Sequence, residues 1–133
     1  MGATNHDKAA GHRRLEQRYG AALDNRESVR LLLSDYHALS NRRFKGDYAA
    51  CDVLIDLHTA IEHAGLTERQ REVLEYYHFR QFNQTEIAEA LGIKQTHVSR
   101  HLAVAESKIA RVFEAWARAG EGYALSYGME AID

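Results

Sequence analysis

At 133 residues, 45% hydrophobic and 27% charged, the chain is long enough for one domain with a modest core and too apolar for a disordered segment. Its formal charge of −2 and pI of about 6.4 argue against a dedicated non-specific nucleic-acid binder. That charge is segregated: residues 94–118 hold five basic residues (Lys94, Arg100, Lys108, Arg111, Arg118) against Glu106 and Glu114, or +3, which leaves −5 for the remainder.

Residues 1–11 are small and polar, and a loose terminus is expected there. A short helix over residues 12–23, with Leu15 and Tyr19 four apart, would make residues 1–23 partly helical. Asp24 and Glu27 have capping-box spacing, and Val29, Leu32, Leu33, Tyr36 and Leu39 follow at helical intervals. That helix should fade in "NRRFKG", where basic residues and Gly46 suit a C-terminus. Asp47 then caps a helix with the stripe Ala50, Leu54, Leu57, Ile61 and Ala64, ended by Gly65. The short basic turn between the two helices predicts an antiparallel hairpin over residues 24–65, suited to a protein partner or to dimerisation.

In "LTERQREVLEYYHF", Thr67 and Gln70 form a second capping-box pattern, with Val73, Leu74 and Tyr77 facing inward, and "RQFN" breaks the helix. Asn83 and Glu86 form a third, opening a short helix through Leu91, with Gly92 as the turn. A long helix follows from about Gln95 to Ala119, with the stripe Val98, Leu102, Ala105, Ile109, Val112 and Trp116. The tail, residues 120–133, is unassigned, although Tyr123, Leu125 and Tyr127 could dock on the body or a partner. No strand alternation or internal repeat stands out. The expected class is all-α: a helical hairpin, then a helix-turn-helix domain over residues 66–119 ending in a long recognition helix.

The stretch "EIAEALGIKQTHVSRHL" has the parts of a helix-turn-helix. Ala88 is small enough for a close crossing, Gly92 allows the sharp turn, and Ile93 plugs the core behind it. If Val98 and Leu102 anchor the second helix, then at about 100° per residue Thr96, Arg100, Ala103 and Ser107 face away from the core. His97 and Ser99 flank that row, and Gln95 occupies the first turn, which usually enters the major groove. Arg100 can donate two hydrogen bonds to guanine, Gln95 can bridge adenine, and Thr96 can meet a thymine methyl or a phosphate. Lys94 has no side-chain acceptor and cannot cap, but it can meet a phosphate at the helix N-terminus. The DNA-binding expectation therefore names Lys94, Gln95, Thr96, His97, Ser99 and Arg100.

On "LTERQREVL", "EIAEALGI", Val98 and "AESKI", residues 66–109 resemble region four of bacterial sigma factors. Autoinducer-type response regulators share the first two motifs. The twelve-residue step from Leu74 to Glu86 and the Ala105 and Lys108 pair favour the sigma resemblance. It implies a domain that reads the upstream promoter element and touches the flap of RNA polymerase, with Gln95, Thr96, Ser99 and Arg100 at the base-facing positions. Lys94 departs from the usual Ser or Thr. Residues 1–65 do not resemble the sigma region that melts promoters, so the chain is more similar to the small stand-alone sigma-like regulators of phages and mobile elements.

Metal and catalytic constellations are incomplete. His97 and His101 are four apart, a spacing that can bind metal on a helix, but no cysteine partners lie nearby. His101 should instead lean toward the core side. Cys51 and His58, and Asp52 and Asp56, read as a helix surface; Glu68, Glu72 and Glu75 with Arg69 and Arg71 read as a solvated face. No catalytic motif is present, so no enzyme activity and no cofactor are expected. Cys51, the single cysteine, cannot form an internal disulfide, no apolar run approaches the ~20 residues of a membrane span, and the N-terminus lacks a signal-peptide core. A soluble cytoplasmic protein is expected. Its partners would be double-stranded DNA, RNA polymerase and a second copy of itself. The alternatives are a polymerase or sigma-factor adaptor without DNA of its own, and a phage DNA-packaging recognition subunit.

Overall fold

The computed structural model describes residues 18, 19 and 23–121. Among these, six α-helices and no strand are found, so the fold is all-α. They are α1 (Arg26–Ser34), α2 (Tyr36–Phe44), α3 (Tyr48–His63), α4 (Glu68–Leu74), α5 (Gln84–Leu91) and α6 (Gln95–Trp116). Short π-helical turns extend α4 over Glu75–Phe79 and α6 over Ala117–Glu121. Of the helix expected over residues 12–23, only Arg18 and Tyr19 are described as helical; Leu23 is buried with φ of 53°. Tyr123, Leu125 and Tyr127 of the tail lie outside the described residues.

The helix expected after Asp24 differs in two ways. Its cap is Asn25, whose side chain accepts from the Ser28 N–H at 2.9 Å, so the box between Asp24 and Glu27 does not form. Glu27 falls instead in the first turn, where its charge meets the positive end of the helix dipole. The helix also divides at Asp35. The Asp35 N–H closes α1 on the Leu31 and Leu32 carbonyls, and its carboxylate accepts from Tyr19 Oη at 2.6 Å and from the Arg18 guanidinium. Burial pushes the Asp35 carboxyl up, but the hydrogen bonds from Arg18 and Tyr19 outweigh it and hold the group below its ordinary range.

The division lets α1 and α2 serve different neighbours. α2 packs on α3, whereas α1 packs on α6. Between α2 and α3, Gly46 adopts φ of 86°, and Asp47 caps α3 through the Ala50 N–H, as its sequence position suggests. His37 Nε2 lies 2.9 Å from the Phe79 carbonyl, and Tyr36 packs against the Phe79 ring, so α2 is also tied to the π turn after α4.

Two buried clusters follow. The larger joins Val29, Leu32, Leu33 and Leu39 to Leu54, Leu57 and Ile61, and both groups to Leu74, Ala105, Ile109 and Phe113. The smaller contains Val73, Ile87, Val98 and Leu102, ringed by Tyr76, Tyr77, Phe82, Ala88, Leu91 and Ile93. α6 supplies residues to both, with its first turns in the small core and its later turns in the large one. The expected stripe holds as far as Ile109. Beyond it, Val112 and Trp116 are half-buried and Phe113 takes the fully buried position. One residue is about 100° of rotation. The inward direction shifts because the helices covering this end of α6 are no longer those covering its start.

Candidate nucleic-acid interface

The helix-turn-helix is set by two reciprocal caps and one left-handed glycine. Thr67 and Gln70 cap α4, and Asn83 and Glu86 cap α5, each pair satisfying two N–H groups at once. α5 stops at Gly92, whose φ of 66° costs a glycine little and an L side chain about 1–2 kcal/mol. The Ile93 N–H then closes on the Ala88 carbonyl at 3.0 Å. Ala88 and Ile93 pack against the small core, as their placement around the turn requires.

α6 begins at Lys94, which makes no side-chain capping bond. Val98 is fully buried and Leu102 nearly so, which fixes the rotation of the helix. Lys94, Gln95, Thr96, His97, Ser99 and Arg100, the six residues expected to meet DNA, are all exposed at the start of α6. No ion pair or side-chain hydrogen bond is found on any of them among the described residues. The open N–H groups of the first turn add a site favourable to anions. Ala103 and Ser107, expected on the same row, are half-buried, so the outward face is limited to the first turns of α6.

His101 is half-buried beside this surface and leans inward as expected. Burial, then the charges of Arg69, His97 and Arg100, hold its imidazole below the ordinary histidine range. The unfolded chain therefore takes up a proton that folded His101 resists. Stability should fall as pH drops through about 6.5, the unfolded value, and this part of the loss should vanish in His101→Gln. Urea denaturation of both proteins at about pH 7.5 and about pH 5.5 checks this. Equal pH dependence in the two would show that His101 is not responsible.

Two of the basic residues further along, Lys108 and Arg118, have other employment. Lys108 Nζ donates to Gln70 Oε1 at 2.8 Å and to the Gly65 carbonyl at 3.3 Å, bolting α6 to the cap of α4. Arg118 pairs with Glu114 one turn away. Glu106, counted above only as an opposing charge, is buried; it accepts from His78 Nε2 at 3.0 Å and from Arg26 Nε at 3.3 Å. Removing one partner from such a buried group is costly because the other is left without water. Sequence spacing could not reveal this network, since Arg26 is eighty positions from Glu106.

Asp56 corrects the reading of α3, because it is buried and not on a surface. His58 Nε2 lies 3.1 Å from Tyr36 Oη. No group of three or more metal-ligating side chains is found among the described residues, and no described helix is long and apolar enough to cross a membrane.

A short capped helix, a left-handed glycine and a second helix with an exposed first turn define the helix-turn-helix class of DNA-binding domains. Residues 64–110 match the family model for Sigma-70, region 4, and this segment is a region-four-like helix-turn-helix. That family is one of DNA-binding domains and not of enzymes. No curated protein and no solved structure matches the chain.

Proposed function

We propose that the protein is a sequence-specific regulator of transcription that reads double-stranded DNA at promoters together with RNA polymerase. The observation that carries this reading is the row of exposed side chains on the first turns of α6, on which no ion pair is found among the described residues, inside a region-four segment. Arg100 is assigned to guanine, Gln95 to adenine and Thr96 to a thymine methyl or a phosphate. Ser99 and His97 flank them, and Lys94 meets the backbone. The remainder of the chain is acidic, so one copy should hold DNA weakly. RNA polymerase or a second copy would supply the missing binding energy.

Selection from a random duplex pool with the purified full chain tests this. Enrichment of a defined motif is expected. No enrichment at low salt, together with capture of polymerase from nuclease-treated lysate, would replace the reading with that of a protein adaptor.

A further inference from the structure

The segment matching region four begins at residue 64, but the surface beside its recognition helix is completed by α1. Arg26 and Arg30 stand one turn apart on α1. Together with Gln84, Ser99 and Glu106 they line one narrow cavity of about 70 Å³. Gln84 opens α5, Ser99 flanks the exposed row of α6, and Glu106 lies two turns further along the same helix. Ser34, one turn beyond Arg30, lines a neighbouring cavity with Gln81, Phe82 and Asn83. α1 therefore runs beside the start of α5.

The charges in this cleft are unequal. Arg26 is engaged by Glu106, whose other oxygen accepts from His78. Arg30 is exposed, and no ion pair is found on it among the described residues. The Glu86 carboxylate on α5 is turned back onto the Asn83 N–H. The N–H groups of Gln84 and Thr85 belong to the first turn and have no carbonyl partner within the helix. Arg30, on which no ion pair is found among the described residues, thus lines one cavity with Gln84 at the start of α5 and with Ser99, at the edge of the surface assigned to bases. This is a group of donors suited to an anion.

We propose that Arg30, with the first turn of α5 and the Ser99 hydroxyl, binds a phosphate of the DNA strand flanking the groove read from Gln95 to Arg100. Arg26 acts as a positioning residue, fixing α1 to α6 through Glu106. The inference rests on the DNA-reading function above and extends its interface to a helix outside the region-four segment.

The test uses the full chain, a duplex recovered by selection and a scrambled duplex of equal length, each titrated across a salt series. Arg30→Gln, which keeps most of the side-chain stem and removes the charge, should weaken binding about five- to tenfold on both duplexes. It should also flatten the log–log salt slope by about 0.9. Base preference should not change, and Arg30→Lys should restore the slope. Unchanged affinity and slope in Arg30→Gln, while Arg100→Ala still loses base preference, would overturn this inference and leave the DNA-reading function standing. Failure of the unmodified protein to bind either duplex would overturn both.

Discussion

Arg100→Ala should lose sequence discrimination without losing the fold. Arg100 is exposed on the second turn of α6, beside the buried anchor Val98, and its guanidinium has no ion pair among the described residues. Truncation therefore removes no contact that supports the core, and stability should stay within about 0.5 kcal/mol. If the side chain makes a bidentate contact to one base pair, its loss should cost about 1–3 kcal/mol of binding, roughly ten- to hundredfold. Preference at that one position should relax. Anisotropy titrations on the selected duplex and its single-base variants would measure this, with thermal melting as the control. Equal affinity and unaltered preference at moderate salt would remove Arg100 from the interface.

The largest effect on stability is expected from Phe113→Ala. Phe113 is fully buried where α6 meets the N-terminal helices, in one cluster with Leu32, Leu54 and Ile109, and its ring stacks edge-on against Trp116 at 5.2 Å. Truncating a buried Phe to Ala costs about 3–5 kcal/mol, from lost transfer energy and the cavity left behind. That is a large part of the roughly 5–15 kcal/mol that holds an ordinary domain together. The midpoint of thermal unfolding should fall by on the order of 15–25 °C. Val112→Ala, one position away but half-buried, should cost about 1 kcal/mol. Similar losses in the two variants would contradict the turn of the buried face from Val112 to Phe113. The shared cluster also predicts that α1–α3 and the later helices unfold in a single transition.

The helix-turn-helix was legible because its determinants are local. Thr67 with Gln70, Asn83 with Glu86, and Asp47 all cap as their spacing indicates, and Gly92 takes the left-handed conformation the turn needs. Each of these depends on residues within four positions of one another. The exposed row of α6 follows from two anchors, Val98 and Leu102, and helix geometry. Cap choice at the start of α1 was less determined, because Asp24 and Asn25 are both good caps and only the entry of the chain decides between them.

The division at Asp35 illustrates the other side. Residues 24–44 have a continuous helical pattern, and nothing in the pattern marks a break. α1 ends at Asp35, whose carboxylate is engaged by Tyr19 and Arg18 from a segment sixteen and seventeen positions away, and α1 has α6 as its neighbour. The burial of Glu106 and Asp56 has the same origin, since a helix alone cannot tell which polar residue will be covered by a segment far away in the chain.

Helix class, caps, turn and the outward row of α6 were thus set by short-range chemistry that any reader of the chain can count. Which helix covers α6, which charges are spent inside the fold and which, like Arg30, remain beside the recognition turns were decided only by tertiary packing. The physical reason is that burial and ion pairing depend on distances between elements, and periodicity within an element does not contain them.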